Sequence, residues 1–86
     1  KKFTSENQGM LFLMDDADHY FWMKNCITHL DIIFIKDGQI SNIHHNCPPC
    51  KSKDCGNYCG EGDMILEVKG GTCKRLGIKL DDRIEF

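Results

Sequence analysis

The sequence lacks several features that identify common functional classes. It has no apolar run long enough to cross a membrane as a helix. Its 11 basic and 13 acidic residues leave a formal net charge of −2, which gives no electrostatic reason to expect binding to nucleic acid or to an anionic membrane. The aromatic residues are not interleaved with a basic patch, as single-strand binders require. Gly70-Gly71-Thr72 has neither the lysine of a P-loop nor the spacing of a dinucleotide fingerprint.

The chain is short and rich in cysteine. Its 86 residues make one small domain, residues 1–86, whose core is of marginal size. A disulfide, a metal or a partner chain would help to stabilise it. The six cysteines are an even number in a short chain, which suggests a disulfide framework in an oxidising compartment, or metal binding in a reducing one.

The predicted fold of the rest of the chain is arranged around the stretch from Tyr20 to Gly38. Within it, Leu30 to Ile35 is rich in the β-branched and aromatic residues that favour strands. Asp37-Gly38 follows, and a second β-prone run extends from Gln39 to His44. Asp-Gly between two such runs predicts a hairpin with a type I′ turn, because both central residues of that turn have positive φ. Apolar residues on both faces of the first strand indicate a central position in a sheet.

The segments before and after this hairpin predict further short elements. We expect a strand from Met10 to Met14, an acidic loop or one helical turn at Asp15 to Asp18, and a second strand from His19 to Met23. Regular structure should stop at Cys47, because the two prolines that follow remove backbone donors. Residues 47–63 are therefore predicted to form one irregular, cysteine-rich loop.

The last third of the chain predicts one strand, one short helix and a closing turn. Met64 to Val68 should be a strand. Thr72 is the expected N-cap of a helix from Cys73 to Leu76, and Gly77 its C′ residue. One or two short strands are expected on either side of an Asp81-Asp82 turn, at residues 78–80 and 83–86.

The cysteine loop carries the most distinctive spacing, C-x2-C-x4-C-x3-C, formed by Cys47, Cys50, Cys55 and Cys59. Structural disulfides would reduce the entropy of this segment and stabilise the fold by roughly 2–4 kcal/mol each. Cys26 and Cys73 lie outside the loop and are either additional disulfide partners or small buried thiols.

Two other interpretations of the same loop stay open. Thiolates two to four residues apart suit tetrahedral zinc, and His44 or His45 could replace one of them. Against zinc, only four residues separate the second and third cysteines. A redox-active Cys47-Pro48-Pro49-Cys50 is the remaining option, although reactive C-x-x-C pairs usually lie at a helix N-terminus, and no helical pattern follows here.

A second candidate site surrounds the only tryptophan. Trp22, Lys24, Asn25 and Asp31 form a group of aromatic, cationic and hydrogen-bonding side chains within ten residues. They could line a ligand cradle. The structural alternative is that Trp22 belongs to the core, its indole N–H finding a local partner, while Asn25 and Asp31 fix a turn before the strand.

These motifs together resemble the DUF192 family of unknown function. The resemblance rests on G-M-L-F at residues 9–12, F-W-M-K-N at 21–25, L-D-I-I-F-I at 30–35, I-L-E-V at 65–68, the G-T-x-x-x-L-G run at 71–77, and the ending D-R-I-E-F. The matches come in the family's order and cover nearly the whole chain. Three departures stand out: the chain looks N-terminally truncated, Cys26 replaces a usual threonine, and Asp81-Asp82 replaces a Gly-Asp pair.

The resemblance implies a compact, β-rich α+β fold and says little about activity. We expect mostly antiparallel strands in a small barrel-like or sandwich sheet with one short helix. The favoured function is a non-enzymatic binding or accessory domain, without a required cofactor, that captures an unknown ligand or partner near Trp22. We also expect export to the periplasm or beyond. The alternatives are a zinc-binding or thiol-redox protein using the cysteine loop, and a homo-oligomerising module with an open sheet edge.

Overall fold

The computed structural model describes residues 9–23, 28–50 and 55–84, and of residues 15–22 it describes the backbone alone. Four strands and one helix follow in the order β1 Gly9–Trp22, β2 Leu30–Lys36, β3 Gln39–Cys47, β4 Asn57–Lys69 and α1 Thr72–Leu76. The strands form one sheet with the order β1-β4-β2-β3, and every pair in it is antiparallel. The predicted mostly antiparallel fold with one short helix is confirmed. The described strands form an open sheet, so the barrel-like closure is not seen.

The central hairpin forms as the sequence predicts. Asp37 has a φ of 52° and Gly38 a φ of 75°, which are the two positive values that a type I′ turn requires. β2 lies between β4 and β3, and its residues 30–35 are all buried. Apolar residues on both faces of β2 therefore mark the middle of the sheet, as expected.

The two outer strands are longer than predicted. β1 runs without interruption through residues 15–18, where an acidic loop or helical turn was expected, with a register shift between Leu13 and Ala17. β4 begins at Asn57, so the predicted irregular loop at 47–63 is wrong at both ends: Cys47 belongs to β3 and residues 57–63 to β4. Pairing of β1 with β4 on both sides of this shift overrides the weak local strand propensity of both segments.

The first half of β4 lies close over the neighbouring strands because two of its residues lack a side chain. A Cβ atom at Gly62 would collide with the carbonyl oxygen of Ile35, and one at Gly60 with the ring of Phe34. The side-chain amide of Asn42 on β3 donates to the carbonyl oxygen of Cys59 at 3.1 Å. β4 therefore bends over β2, and the paired β1 strand follows it.

This arrangement buries one apolar cluster on each side of β2. The ribbon-side cluster lies beneath the β1–β4 ribbon and consists of Met23, Leu30, Ile32, Phe34, Cys47 and Ile65, with Phe12, Met14, Cys50 and Tyr58 packed against it. The helix-side cluster lies beneath α1 and the C-terminal segment and consists of Ile33, Ile35, Ile40 and Cys73. Burying a side chain such as Phe34 contributes roughly 1.5–3 kcal/mol.

The C-terminal region differs from the prediction in its details. α1 ends at Gly77, whose φ of 70° is left-handed as expected for a C′ glycine. Its N-cap residue is Gly71, and Thr72 is the first helical residue. Of the two predicted closing strands, the described residues show a single bridge between Arg83 and Gln39; residues 85 and 86 lie outside the described residues.

Candidate functional site

The end of β1 is attached directly to the cysteine segment. Trp22 is the register partner of Asn57 at the start of β4. The next carbonyl, that of Met23, accepts a hydrogen bond of 3.2 Å from the backbone N–H of Cys50. Cys50 is in turn joined to Cys55 by a disulfide bond. We call this region the Trp22 junction; it consists of Trp22, Met23, Cys50, Cys55 and Asn57.

Beneath the junction, the buried thiol of Cys47 lies beside the phenol of Tyr58. Cys47 is 2% exposed and its thiol donates to the carbonyl oxygen of His44. Burial raises the pKa of Cys47 to about 11, although a hydrogen bond with Tyr58 acts in the opposite direction. Burial, and then the neighbouring Cys47, also raise the pKa of Tyr58. Both groups are therefore neutral near physiological pH, and Cys47 is a poor nucleophile because the thiolate is the reactive form.

His44 has a structural position in this region. Its ring makes edge contacts with the rings of Phe34 and Tyr58, with centroids 5.8 and 5.3 Å apart. Its Nε2 atom lies 2.7 Å from the carbonyl oxygen of Cys59. These contacts connect β3 to the first half of β4. His45, the next residue, is exposed.

Glu67 is a buried carboxylate on the same side of the sheet. It is 0% exposed and lies opposite Ile32 in the register of β2 with β4, so it faces the ribbon-side cluster. Its charge contributes to raising the pKa of Cys47. Sequence reasoning did not select Glu67 as a site residue. The signal was present, because the alternation that turns Ile65 inward also turns Glu67 inward.

Asp31 lies on the other side of β2, against the start of α1. It is 0% exposed. One carboxylate oxygen accepts hydrogen bonds from the backbone N–H groups of Asn46 and Gly71 at 2.7 and 3.1 Å, and the other from that of Cys73 at 2.8 Å. Burial raises the pKa of Asp31, but the hydrogen bonds, led by that from Cys73, outweigh it and hold the pKa below its ordinary value. Asp31 thus connects β2, β3 and α1 as a structural anion.

The structure describes only part of the predicted ligand cradle. Lys24 and Asn25 lie outside the described residues, and of Trp22 only the backbone is described. Asp31, its fourth member, turns toward α1 and away from the ribbon-side cluster that contains Met23. The grouping of these four residues around one ligand therefore stays a prediction.

The cysteines are divided between one disulfide and separate thiols. Of the predicted loop set, Cys50 and Cys55 are bonded, whereas Cys47 and Cys59 are free. Cys73 is also a buried free thiol, and burial together with the nearby Asp31 raises its pKa to about 12. Cys26 lies outside the described residues. The expectation of disulfide pairing in this loop is met by one bond in the structure.

The structure lends no support to a zinc centre. Within residues 9–23, 28–50 and 55–84, no three of the His, Cys, Asp or Glu side chains that the structure describes are grouped so as to hold a metal ion. The disulfide also removes two of the four predicted thiolate ligands. In the same ranges, no helix has the length and apolar character needed to cross a membrane.

Two solved structures resemble this one over almost its entire length. A protein of unknown function from Novosphingobium aromaticivorans DSM 12444 is 34% identical with a TM-score of 0.88; the match covers 100% of this chain and 62% of that one. A proposed transcription regulator from Sinorhizobium meliloti 1021 is 36% identical with a TM-score of 0.85, over 99% of this chain and 67% of that one. This chain thus spans less than two thirds of the length of the Novosphingobium protein. No curated protein matches it.

The family comparison agrees with the motifs and the fold. The model of the DUF192 family, described as "Uncharacterized ACR", matches residues 1–86. The matched range includes the strands β1 to β4, the Asp31 anchor and the Trp22 junction. The chain therefore belongs to the DUF192 family.

Proposed function

We propose that this protein is a small, non-enzymatic binding domain that captures a ligand or a partner segment at the Trp22 junction. The observation that supports this most directly is the hydrogen bond from Cys50 N–H to the Met23 carbonyl. It holds the chain at the middle residue of the F-W-M-K-N motif, Met23, against a loop closed by the Cys50–Cys55 disulfide. A binding surface needs such a rigid support for the side chains that contact a ligand.

The composition around the junction suits recognition. The only tryptophan of the chain and Lys24 and Asn25 occur together in sequence, and they supply apolar area, a positive charge and an amide. Among the described residues, Met23 and Cys47 belong to the ribbon-side cluster, against which Tyr58 packs and toward which the buried Glu67 carboxylate faces. Binding pockets commonly combine an apolar lining with a few such polar groups.

The state of the buried thiol favours binding over thiol chemistry. The raised pKa of Cys47, about 11, leaves little thiolate to attack the adjacent disulfide. The alternative of a thiol-redox protein makes a distinct expectation, namely dithiol–disulfide exchange that disappears in Cys50→Ser. Absence of exchange activity in the unmodified chain would agree with the binding proposal.

The disulfide also supports the proposal that the protein works outside the reducing cytoplasm. Disulfides persist in the periplasm and in extracellular space, and are rare in cytosolic proteins. Fractionation of cells that express the natural full-length protein, followed by thiol trapping, tests this point. Recovery of the protein in the cytosolic fraction with Cys50 and Cys55 reduced would contradict it.

The single tryptophan gives a sharp test of the binding site. One indole N–H signal is expected in a two-dimensional ¹H–¹⁵N spectrum, and a fragment library can be screened against it. We expect binding fragments to shift that signal together with the amides of Asn57 and Tyr58. Fragments that shift only the amides of α1, or a library without hits, would contradict the proposed site.

A matched pair of variants refines the test. Lys24→Ala should weaken the binding of the fragments found in the screen, whereas Lys79→Ala, an exposed lysine near the C-terminus, should leave it unchanged. Thermal unfolding of both variants establishes that the fold is retained. Equal binding by both variants would exclude Lys24 from the site.

A further inference from the structure

The far end of the β1–β4 ribbon extends beyond the part of β4 that pairs with β2. The register of β4 with β2 runs from Lys69 to Met64. Residues 57–62 of β4 continue past it, paired with residues 17–22 of β1. We call these two paired segments the distal ribbon. A register shift between Leu13 and Ala17 lies where the distal ribbon joins the rest of the sheet.

Side chains of β3 hold the distal ribbon over the sheet. The Ser41 hydroxyl donates to the carbonyl oxygen of Glu61. The Asn42 amide donates to the carbonyl oxygen of Cys59 at 3.1 Å, and Nε2 of His44 lies 2.7 Å from the same oxygen. Each such hydrogen bond contributes little net stability, because water competes for the same groups. These contacts therefore position the distal ribbon without locking it.

A covalent bond fixes the same region more firmly. Cys55 lies two residues before β4 begins at Asn57, and Cys50 lies three residues after β3 ends at Cys47. The disulfide between Cys50 and Cys55 thus ties the start of the distal ribbon to the chain that follows β3. A disulfide restricts the ways in which the segments it joins can separate.

The distal ribbon covers one of the two buried thiols that the structure describes. Tyr58, on the distal ribbon, packs against the ribbon-side cluster and forms a hydrogen bond with Cys47, which is 2% exposed. Cys73 is 0% exposed but lies in the helix-side cluster, on the other side of β2. Lifting the distal ribbon would expose Cys47 and leave Cys73 buried.

We propose that the Cys50–Cys55 bond is a redox switch: the distal ribbon opens locally in the dithiol form, and formation of the disulfide closes it over Cys47. Closure takes a disulfide oxidant. The Cys50 thiolate attacks one sulfur of the oxidant, which breaks the oxidant's S–S bond and forms a mixed disulfide. The Cys55 thiolate then attacks the Cys50 sulfur and displaces the oxidant's second thiolate. Two electrons and two protons pass to the oxidant, which leaves as a dithiol.

The switch regulates the proposed function, on which it rests for its consequence. Both cysteines belong to the Trp22 junction, so binding there is expected in the disulfide form and weakened in the dithiol form. An exported chain would then complete its binding site only on reaching an oxidising compartment. The opening itself is measured without a ligand, so failure of the switch and failure of the binding site are distinguishable.

Thiol labelling of a double variant tests the switch. Cys50→Ser/Cys55→Ser removes the disulfide, and iodoacetamide labelling at neutral pH is followed by mass spectrometry of peptides. We expect Cys47 to react at least about ten-fold faster than in the disulfide-bonded chain, because local opening gives the reagent access. Cys73 should react equally slowly in both proteins, which also establishes that the variant is folded.

Hydrogen exchange locates the opening. Backbone amides of residues 57–62 should exchange faster in the double variant, whereas those of residues 64–69 should keep their protection. Cys59→Ser is the matched control, because it removes an exposed thiol of the same ribbon and leaves the disulfide in place. This variant should change neither the labelling of Cys47 nor the exchange of residues 57–62.

Three results would overturn the proposal. An unchanged rate for Cys47 in the double variant would show that the disulfide does not control access to the ribbon-side cluster. Equal acceleration of Cys47 and Cys73 would mean general destabilisation in place of a local opening. Loss of protection along residues 64–69 would place the opening in the sheet itself.

Discussion

The carboxylate of Asp31 accepts a hydrogen bond of 2.8 Å from the backbone N–H of Cys73. The two residues are 42 positions apart in the chain. Because Gly71 is the N-cap of α1 and makes no side-chain capping bond, Asp31 performs from β2 the task that a capping side chain usually performs locally. The same carboxylate also accepts from Gly71 and from Asn46.

Replacing this carboxylate should destabilise the fold. Asp31→Asn keeps the size of the side chain but turns one acceptor into a donor that faces a backbone N–H. We expect a loss of about 2–3 kcal/mol in the free energy of unfolding, measured with urea, because hydrogen bonds to a buried charge are lost. Asp37→Asn is the matched control, since Asp37 is exposed in a turn with a φ of 52° that asparagine tolerates. Equal losses in both variants would contradict this role.

The contribution of Asp31 should depend on pH. Its pKa in the folded protein lies below the ordinary value of 3.8, so the folded state favours the ionised form. The stabilisation is therefore present above 3.8 and is lost as the pH falls through the lower, folded-state pKa. We expect the stability difference between the unmodified chain and Asp31→Asn to shrink in that acidic window. A difference that stays constant down to the lowest accessible pH would refute the linkage.

Two glycines should be unequal in their tolerance of a methyl group. Gly62→Ala places a Cβ against the backbone of Ile35, which cannot move without disturbing β2. We expect a loss of roughly 3 kcal/mol or more, in the range of overpacking and backbone strain. Gly56→Ala meets nothing within 4 Å and should change stability little. Thermal unfolding of the two variants makes the comparison; a tolerated Gly62→Ala would mean that β4 does not bend over β2.

The described free thiols should react with alkylating agents in a fixed order. Cys59 is exposed, whereas Cys47 and Cys73 are buried. Burial raises the pKa of Cys47 to about 11 and that of Cys73 to about 12. We expect iodoacetamide to label Cys59 first in the folded protein at neutral pH. Cys47 and Cys73 should react only after unfolding.

Mass spectrometry of proteolytic peptides measures this order. A non-reducing digest should also show a disulfide-linked species that contains Cys50 and Cys55. Labelling of Cys47 as fast as Cys59 in the native protein would show that the ribbon-side cluster is open to solvent. It would also return Cys47 to consideration as a nucleophile.

The sequence predicted those elements whose cause is local. The Asp37-Gly38 turn and the helix end at Gly77 depend on backbone angles that a few residue types adopt easily, and both are confirmed. The strand from Leu30 to Lys36 was visible because of its run of β-branched and aromatic residues at 32–35. The resemblance to DUF192, carried by short motifs in order, is confirmed by the family match.

Where the sequence prediction failed, the cause is an interaction with residues that are distant in the chain. Residues 15–18 look like an acidic loop, yet they are strand because they pair with or adjoin β4 residues more than forty positions later. Thr72 looked like an N-cap, but the capping acceptor comes from Asp31. Glu67 looked like an ordinary strand residue; alternation with Ile65 hinted at an inward side chain, and the register partner Ile32 on β2 confirms it. Long-range pairing of this kind overrides local propensity.

The pairing of β1 with β4 has a consequence for biosynthesis. β1 begins at Gly9 and its partner β4 ends at Lys69. β1, the first described strand to leave the ribosome, therefore cannot pair until β4, the last, has been synthesised. The β2–β3 hairpin can form in the meantime, because its two strands are neighbours in sequence. During that interval the segment G-M-L-F-L-M lacks its β4 partner. We therefore expect this segment to be the one that a holdase chaperone binds on the nascent chain.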